Sequence, residues 1–129
     1  MTWNNLSNRY SKAAFGAFNK DKLGSQVVYN LLSMGIENYL TALCISGGEM
    51  PEHEGISFML RQVGKKIEIP EAFFQEARFL NRFMNFCSLE VFEPKDPSRA
   101  DLVRMIRFTN DLKGFSEEKL NLLKAVSPN

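Results

Sequence analysis

Apolar side chains recur every three to four positions through most of the chain, which is the spacing of one face of an α-helix. The spacing is clearest over residues 25–46, and residues 5–18 repeat it before a short polar run over 19–22. The apolar positions of the longer segment are Val28, Leu31, Leu32, Ile36, Tyr39, Leu40 and Leu43. The alternation of apolar and polar residues that marks a half-buried strand is almost absent. The pattern therefore predicts two early helices and an all-helical protein.

Serine, glycine and proline mark where the predicted helices begin and end. Ser25 is expected to cap the start of the second helix, and Gly47-Gly48 is expected to end it. Residues 55–64 are predicted to form a short third helix. A fourth helix is predicted from Pro70 to about Cys87, because proline fits best in the first turn of a helix.

The last part of the chain follows two prolines and contains one internal glycine. Asp96 or Ser98 is positioned to cap a fifth helix that reaches Lys113. After the glycine that follows, Ser116 is expected to start a short final helix. The patterns together predict a single domain, 1–129, folded as an all-α, up-and-down bundle of five or six helices, two of them long.

Composition and charge exclude several classes of protein. Sixteen basic and fifteen acidic residues give a formal charge of +1, so no overall field would attract nucleic acid or a membrane. Cys44 and Cys87 each lie among large apolar residues without CxxC spacing, which favours a reduced, buried pair in a cytoplasmic protein. The N-terminus lacks the apolar core of a secretion signal. No membrane span is expected, because polar residues interrupt the longest apolar stretch, at Asn30, Ser33, Glu37 and Asn38.

The predicted fourth helix carries more large apolar residues than one face can hold. One apolar stripe comprises Phe73, Ala77, Leu80, Met84 and Cys87. A second stripe, rotated by roughly 100° from the first, comprises Phe79, Phe83 and Phe86. Two interpretations of this second stripe stay open: core of the same chain, or the interface of a homodimer. As candidate interface residues we take these three phenylalanines.

His53 is the single histidine of the chain and lies in a Pro-Glu-His-Glu loop before the third helix. Its imidazole either bonds the backbone or a neighbouring carboxylate, or contributes a polar group to a phosphate or nucleotide site. No metal site is expected, because neither cysteine has a further ligand at a compatible spacing. Gly47-Gly48 matches neither of the glycine-rich phosphate-binding motifs, so no cofactor is predicted.

Three charged residues on predicted helices are the remaining candidates. Glu37 lies among apolar residues, where a carboxylate needs a partner, and an arginine of the fourth or fifth helix is the expected one. Arg104 and Arg107 fall together with Asp111 on the outer side of the fifth helix. These arginines either belong to a solvated face with an Arg107–Asp111 pair, or bind a phosphate through their guanidinium donors.

Residues 35–60 resemble the HEPN family, the higher-eukaryote and prokaryote nucleotide-binding helical domain. The long-helix part of the resemblance rests on Gly35, Glu37, Tyr39, Leu40, Ala42 and Leu43. The loop and next helix match through His53-Glu54 and Met59-Leu60. The order of elements and the total length also agree, so the resemblance covers most of the chain and implies the helical fold of that family.

The chain departs from the catalytic members at several positions. HEPN ribonucleases resemble one another in an arginine followed four to six residues later by histidine, with two copies meeting at a dimer interface. Arg104 stands where that arginine would be, but Thr109 and Asn110 occupy the places of the histidine. Thr41 replaces the usual basic residue of the long helix, and the Arg-Tyr element is absent around Phe86-Cys87. The resemblance therefore implies a non-catalytic member.

The leading hypothesis is a non-catalytic, homodimeric module that binds a nucleotide, RNA or a protein partner. Its candidate nucleotide- or RNA-binding residues are Glu37, His53, Arg104 and Arg107. The family likeness implies a nucleotidyltransferase-type partner, as in toxin–antitoxin pairs. One alternative is a metal-independent ribonuclease, with Arg104 and Arg107 stabilising transition-state charge and His53 as the base. A second is a structural helical adaptor that depends on the phenylalanine stripe.

Overall fold

The structure is a computed structural model that describes residues 3–20, 24–52, 55–83 and 97–126. In this part of the chain there are five α-helices and no strand. The helices are α1 (Trp3–Lys20), α2 (Ser25–Ser46), α3 (Ile56–Gly64), α4 (Glu71–Asn81) and α5 (Arg99–Val126). The all-α bundle predicted from the sequence is confirmed.

The second helix, α2, is the centre of the bundle and packs against α1, α3 and α5. Leu32, Ile36 and Leu40 have no exposed surface, and burying one such side chain stabilises the fold by about 1.5–3 kcal/mol. The Tyr39 hydroxyl is buried as well, and it donates a hydrogen bond of 2.7 Å to Oδ1 of Asn8 on α1. This contact, between the first half of α1 and the second half of α2, shows that the two helices run antiparallel.

Phenylalanine rings join α4 to α5. The Phe73 ring lies edge-on to Phe108 at 5.5 Å and to Phe115 at 5.3 Å between centroids. Further along α4, the Phe79 ring contacts Arg104, which precedes those two residues on α5. The two helices are therefore antiparallel, and the aromatic cluster between them closes one side of the core.

The predicted helix ends are partly confirmed. Ser98 caps α5 through a reciprocal pair: the Asp101 amide donates to Ser98 Oγ at 3.1 Å, and the Ser98 amide donates to Asp101 Oδ2 at 3.0 Å. Gly47 ends α2, and the following Gly48 has a φ of +80°. The predicted cap at Ser25 is wrong, because Ser25 is already helical and Gly24 precedes it with no side-chain cap bond.

The predicted break near Gly114 is also wrong, because α5 runs through it without interruption. Apolar side chains pack against the core on both sides of this glycine, with Leu112 fully buried and Phe115 partly buried. A glycine in a helix costs roughly 0.5–1 kcal/mol, which is less than the burial of these side chains contributes. Ser116, predicted to start a sixth helix, is instead fully buried inside α5.

The fourth helix is shorter than predicted, since α4 ends at Asn81 and Arg82 is its C-cap. Met84 and Cys87 lie outside the described residues, so the first predicted stripe is described only through Leu80. Its described members, Phe73, Ala77 and Leu80, are buried in the core. Cys44 is a buried free thiol, and burial raises its pKa.

Candidate functional site

Phe79 and Phe83 lie in the core of a single chain. Their side chains are 7% and 5% exposed, and their rings meet edge-on at 5.4 Å. Tyr29 packs on Phe83 with 6.1 Å between ring centroids, and its hydroxyl donates to the Leu80 carbonyl at 2.9 Å. Of the two interpretations that the sequence left open, burial favours core over dimer interface for these two residues. Phe86 lies outside the described residues.

Arg104 is held by two contacts from α4. Its Nε donates to Glu76 Oε2 at 2.8 Å, and its Cζ lies 3.9 Å from the centroid of the Phe79 ring. The side chain is still 46% exposed. A guanidinium has five N–H donors, so the bond through Nε leaves the Nη donors for solvent or a ligand. The charge, however, already has a carboxylate partner.

Arg107 lies three residues further along α5 and is exposed. It forms no ion pair with Asp111, although both side chains belong to the part of the chain that the structure describes. The predicted solvated face is therefore present without the predicted pair. Arg104 and Arg107 share this surface, but Arg104 is anchored to α4 whereas Arg107 projects from α5 alone.

The positions where a ribonuclease of the resembled family carries histidine offer no base. Thr109 has no exposed surface, and its Oγ1 donates to the Met105 carbonyl at 2.8 Å. Asn110 is exposed, but an amide does not titrate and cannot accept a proton from a ribose hydroxyl at neutral pH. The α5 surface thus combines an arginine that has a partner with two residues unable to act as general base.

Glu37 lies on α2, where it is half-buried, and it is not without an interaction partner. Its carbonyl accepts a 2.8 Å hydrogen bond from Thr41 Oγ1. Thr41 is buried and occupies the position where the resembled family carries a basic residue. Burial raises the pKa of Tyr29, and the charge of Glu37 raises it further. His53 lies outside the described residues, so its relation to Glu37 and the arginines stays a prediction.

A second candidate site, which the sequence analysis missed, lies between α3 and the chain segment that precedes it. Segment 47–52 folds back along α3. Lys66, in the turn that follows α3, donates from Nζ to the Gly47 carbonyl at 3.0 Å. Gln62 bonds the same segment twice, donating from Nε2 to the Met50 carbonyl at 2.8 Å and accepting from the Glu52 amide at 3.2 Å. These three bonds fix one wall of an open groove against the helix.

The groove has a volume of about 290 Å³. Among the described residues, it is lined by Glu52, Phe58, Arg61, Gln62 and Lys65. Phe58 and Arg61 lie on one face of α3, and Lys65, the C-cap of the helix, continues that spacing. This pattern in the sequence could have identified the site. What the sequence could not give is the return of segment 47–52, since that depends on contacts ten or more residues apart.

The described residues contain no cluster of three or more histidine, cysteine, aspartate or glutamate side chains able to hold a metal ion. None of the described helices is long and apolar enough to cross a membrane.

Two solved structures share this fold. A HEPN domain protein of Thermotoga maritima is 16% identical, superposes with a TM-score of 0.74, and matches 92% of this chain and 97% of its own. A protein of Thermus thermophilus is 16% identical with a TM-score of 0.75, over 91% of this chain and 94% of its own. No protein-family model and no curated protein matches the sequence. The chain therefore has a HEPN-like fold, as the sequence resemblance implied.

Proposed function

We propose that this protein is a non-catalytic module of HEPN-like fold that binds a phosphate-bearing ligand, a nucleotide or RNA. The observation that carries the proposal is the state of Arg104. Its guanidinium is bonded to Glu76 at 2.8 Å and stacked on Phe79 at 3.9 Å. A ribonuclease that works through the arginine–histidine motif of the resembled family needs an arginine free to stabilise charge that develops in the transition state, together with a nearby base.

Both requirements are missing from the described α5 surface. Glu76 already balances the charge of Arg104, which lowers the electrostatic stabilisation that this guanidinium can give to a transition state. Thr109 is buried and bonded to the backbone, so its hydroxyl faces no substrate. The chemistry of the surface therefore supports binding without cleavage.

The binding surface proposed on α5 consists of Arg107 and the outward donors of Arg104. Arg107 is exposed, and nearly half of the Arg104 side chain is exposed. Two guanidiniums one turn apart on the same surface can both donate charge-assisted hydrogen bonds to a phosphate. Glu37 and His53 complete the set of candidate residues predicted from the sequence.

A protein partner belongs to the same proposal. We propose that the module acts in the cytoplasm as a homodimer and pairs with a nucleotidyltransferase-type protein, as the resemblance to toxin–antitoxin modules implies. Support for a protein-binding surface comes from exposed apolar side chains on α2. Val27, Met34 and Ile45 are 42%, 41% and 43% exposed.

The test compares RNA cleavage and RNA binding by the same proteins. Wild type and Arg104→Ala are incubated with RNA in the presence of a metal chelator, and neither protein is expected to cleave the RNA. Binding of single-stranded RNA is measured by fluorescence anisotropy for wild type, Arg107→Ala and the matched control Arg78→Ala, an exposed arginine of α4. We expect Arg107→Ala to weaken binding and Arg78→Ala to leave it unchanged.

Cleavage by the wild type that is lost in Arg104→Ala would replace this proposal with an atypical ribonuclease. A protein that binds neither nucleotides nor RNA would leave the structural adaptor as the remaining hypothesis. Size-exclusion chromatography with light scattering measures the oligomeric state in the same samples, and a strict monomer would contradict the proposed homodimer.

A further inference from the structure

The groove between α3 and segment 50–52 has the size of a single small ligand. Its volume of about 290 Å³ lies just below the range for small-molecule sites, roughly 300–1,000 Å³. A nucleic-acid chain would need a longer channel, because each further nucleotide adds a base and a phosphate. The size therefore favours one nucleotide over an oligonucleotide.

The wall opposite α3 is fixed before any ligand binds. Gln62 holds the backbone at Met50 and Glu52 through two hydrogen bonds, of 2.8 and 3.2 Å. Lys66 adds a third at Gly47, 3.0 Å long. A ligand that enters this groove does not have to order the segment, so little of its binding free energy is lost to loop ordering.

The chemistry of the α3 wall combines an aromatic surface with two cations. The Phe58 side chain is half-buried, and Arg61 Cζ lies 5.8 Å from the centre of its ring. Arg61 and Lys65 are both exposed, and neither forms an ion pair with another described residue. Glu52 supplies one carboxylate, so the charged groups among the described residues that line the groove sum to +1 (Arg61 and Lys65 against Glu52).

These groups suit the two parts of a nucleotide. A phosphate dianion accepts charge-assisted hydrogen bonds from a guanidinium and an ammonium, while a base packs against an aromatic face and stacks with a guanidinium plane. An acidic peptide would use the cations but gain little from Phe58. A neutral apolar ligand would leave both cations without a partner.

We infer that this groove binds a mononucleotide, with its phosphate at Arg61 and Lys65 and its base against Phe58. The inference rests on the proposed function for the class of ligand, a phosphate-bearing nucleotide. It adds a site for a mononucleotide beside α3, separate from the arginine surface proposed on α5.

The experiment is a titration of the ¹⁵N-labelled full chain with AMP, followed by two-dimensional NMR. Adenosine and inorganic phosphate are titrated separately, because each carries one half of the proposed recognition. AMP is expected to shift the amide signals of α3 and of segment 50–52, and to bind at least tenfold more tightly than either half. Arg61→Gln and Lys65→Gln should each weaken AMP binding by roughly tenfold or more.

Two further variants make the result specific. Arg78→Gln removes an exposed arginine on α4, outside the groove, and should leave AMP binding unchanged. Phe58→Leu keeps an apolar side chain but removes the aromatic face, so it should weaken AMP and leave inorganic phosphate unaffected. Arg61 and Lys65 are exposed, so their variants test the groove even where Phe58→Leu does not fold.

Several outcomes would overturn the groove assignment. AMP affinity that is unchanged in Arg61→Gln would do so, as would phosphate binding as tight as AMP, or groove shifts produced by an acidic peptide and not by AMP. Nucleotide or RNA binding that shifts signals around Arg107 alone would remove the α3 site and leave the proposed function standing. Absence of binding to AMP and RNA alike would remove both.

Discussion

The Arg104 guanidinium covers the ring of Phe79, with Cζ 3.9 Å from the ring centroid. Because Phe79 belongs to α4 and Arg104 to α5, this contact joins two helices at the edge of the aromatic cluster. The bond from Arg104 to Glu76, also on α4, holds the guanidinium in place over the ring. An arginine that a sequence pattern assigns to ligand binding is thus also part of the packing between two helices.

This dual position predicts a stability effect. Arg104→Ala removes a cation–π contact worth roughly 0.5–2 kcal/mol and a partly exposed ion pair worth roughly 0.2–1 kcal/mol. We expect the free energy of unfolding in urea to fall by about 1–2 kcal/mol. The matched control is Arg78→Ala, because Arg78 and Glu71 form a 3.7 Å pair with side chains that are 64% and 75% exposed. Equal effects of the two variants would contradict a packing role for Arg104.

We expect substitutions of Gln62 to increase hydrogen exchange in the segment before α3 to different degrees. Gln62→Ala removes both bonds to the backbone at Met50 and Glu52, so the Glu52 amide should exchange with solvent faster than in the wild type. Gln62→Glu still accepts from the Glu52 amide but cannot donate to the Met50 carbonyl. Its Glu52 amide should exchange at an intermediate rate in hydrogen-exchange NMR. Exchange that is the same in all three proteins would show that the two bonds do not hold the segment.

The parts of the fold that the sequence predicted are those set by local rules. The C-terminal end of α2 at Gly47 and the N-terminal end of α5 at Ser98 each depend on residues within one turn of that helix end. The unbroken α5 was missed because the burial of Leu112 and Phe115 outweighs the local preference of the glycine between them. Tertiary packing decided that element, and packing cannot be read from spacing alone.

The candidate site divides in the same way. Helical spacing correctly placed Arg104 and Arg107 on one outer surface of α5. The carboxylate that binds Arg104 is Glu76, 28 positions away on another helix. A pair so distant in sequence depends on how α4 packs on α5. The residues next to Arg104 in the sequence therefore do not indicate that Glu76 is its partner. The groove on α3 was missed for the same physical reason.

Because the phenols of Tyr29 and Tyr39 are buried, we expect the protein to lose stability at alkaline pH. Burial raises the pKa values of Tyr29 and Tyr39 above the ordinary value of 10.0, and nearby acidic groups raise them further. The native state therefore keeps these protons at a pH where the unfolded chain releases them, so the free energy of unfolding falls as pH rises above about 10. The contribution of the two protonated phenols to the free energy of unfolding is fully present below pH 10.

The measurement is the urea midpoint between pH 8 and pH 11 for wild type and Tyr29→Phe. The variant is expected to be less stable at neutral pH, because the hydrogen bond to the Leu80 carbonyl is lost. Its stability should nevertheless decline less steeply above pH 10, since one of the two shifted groups is gone. Parallel pH profiles for the two proteins would show that Tyr29 does not contribute to the alkaline loss.

We expect replacement of Ser116 by alanine to stabilise the protein. The Ser116 side chain is fully buried in α5, and its Oγ has no hydrogen-bond partner among the described residues. Leaving a buried hydroxyl unsatisfied costs about 1–3 kcal/mol, and alanine also has the higher helix propensity. Ser116→Ala should raise the free energy of unfolding by about 1 kcal/mol. A decrease would show that the hydroxyl is satisfied in solution.

Two glycines with open space around them predict opposite effects of the same substitution. A Cβ added at Gly114 or at Gly48 would meet no atom within 4 Å, so crowding plays no part at either position. Gly114 lies inside α5, where alanine has the better propensity, and Gly114→Ala should stabilise by roughly 0.5–1 kcal/mol. Gly48 has a φ of +80°, which disfavours a side chain, so Gly48→Ala should destabilise by about 1–2 kcal/mol.

Thermal unfolding of both variants beside the wild type measures the difference, with Tm rising for Gly114→Ala and falling for Gly48→Ala. The comparison isolates backbone conformation, because both substitutions add the same methyl group into open space. A Tm that falls for Gly114→Ala would mean that α5 is broken at this glycine in solution. In that case the two separate helices predicted from the sequence would be correct. Alanine favours the helix more than glycine does, so it would lower stability at a position where the chain leaves the helix.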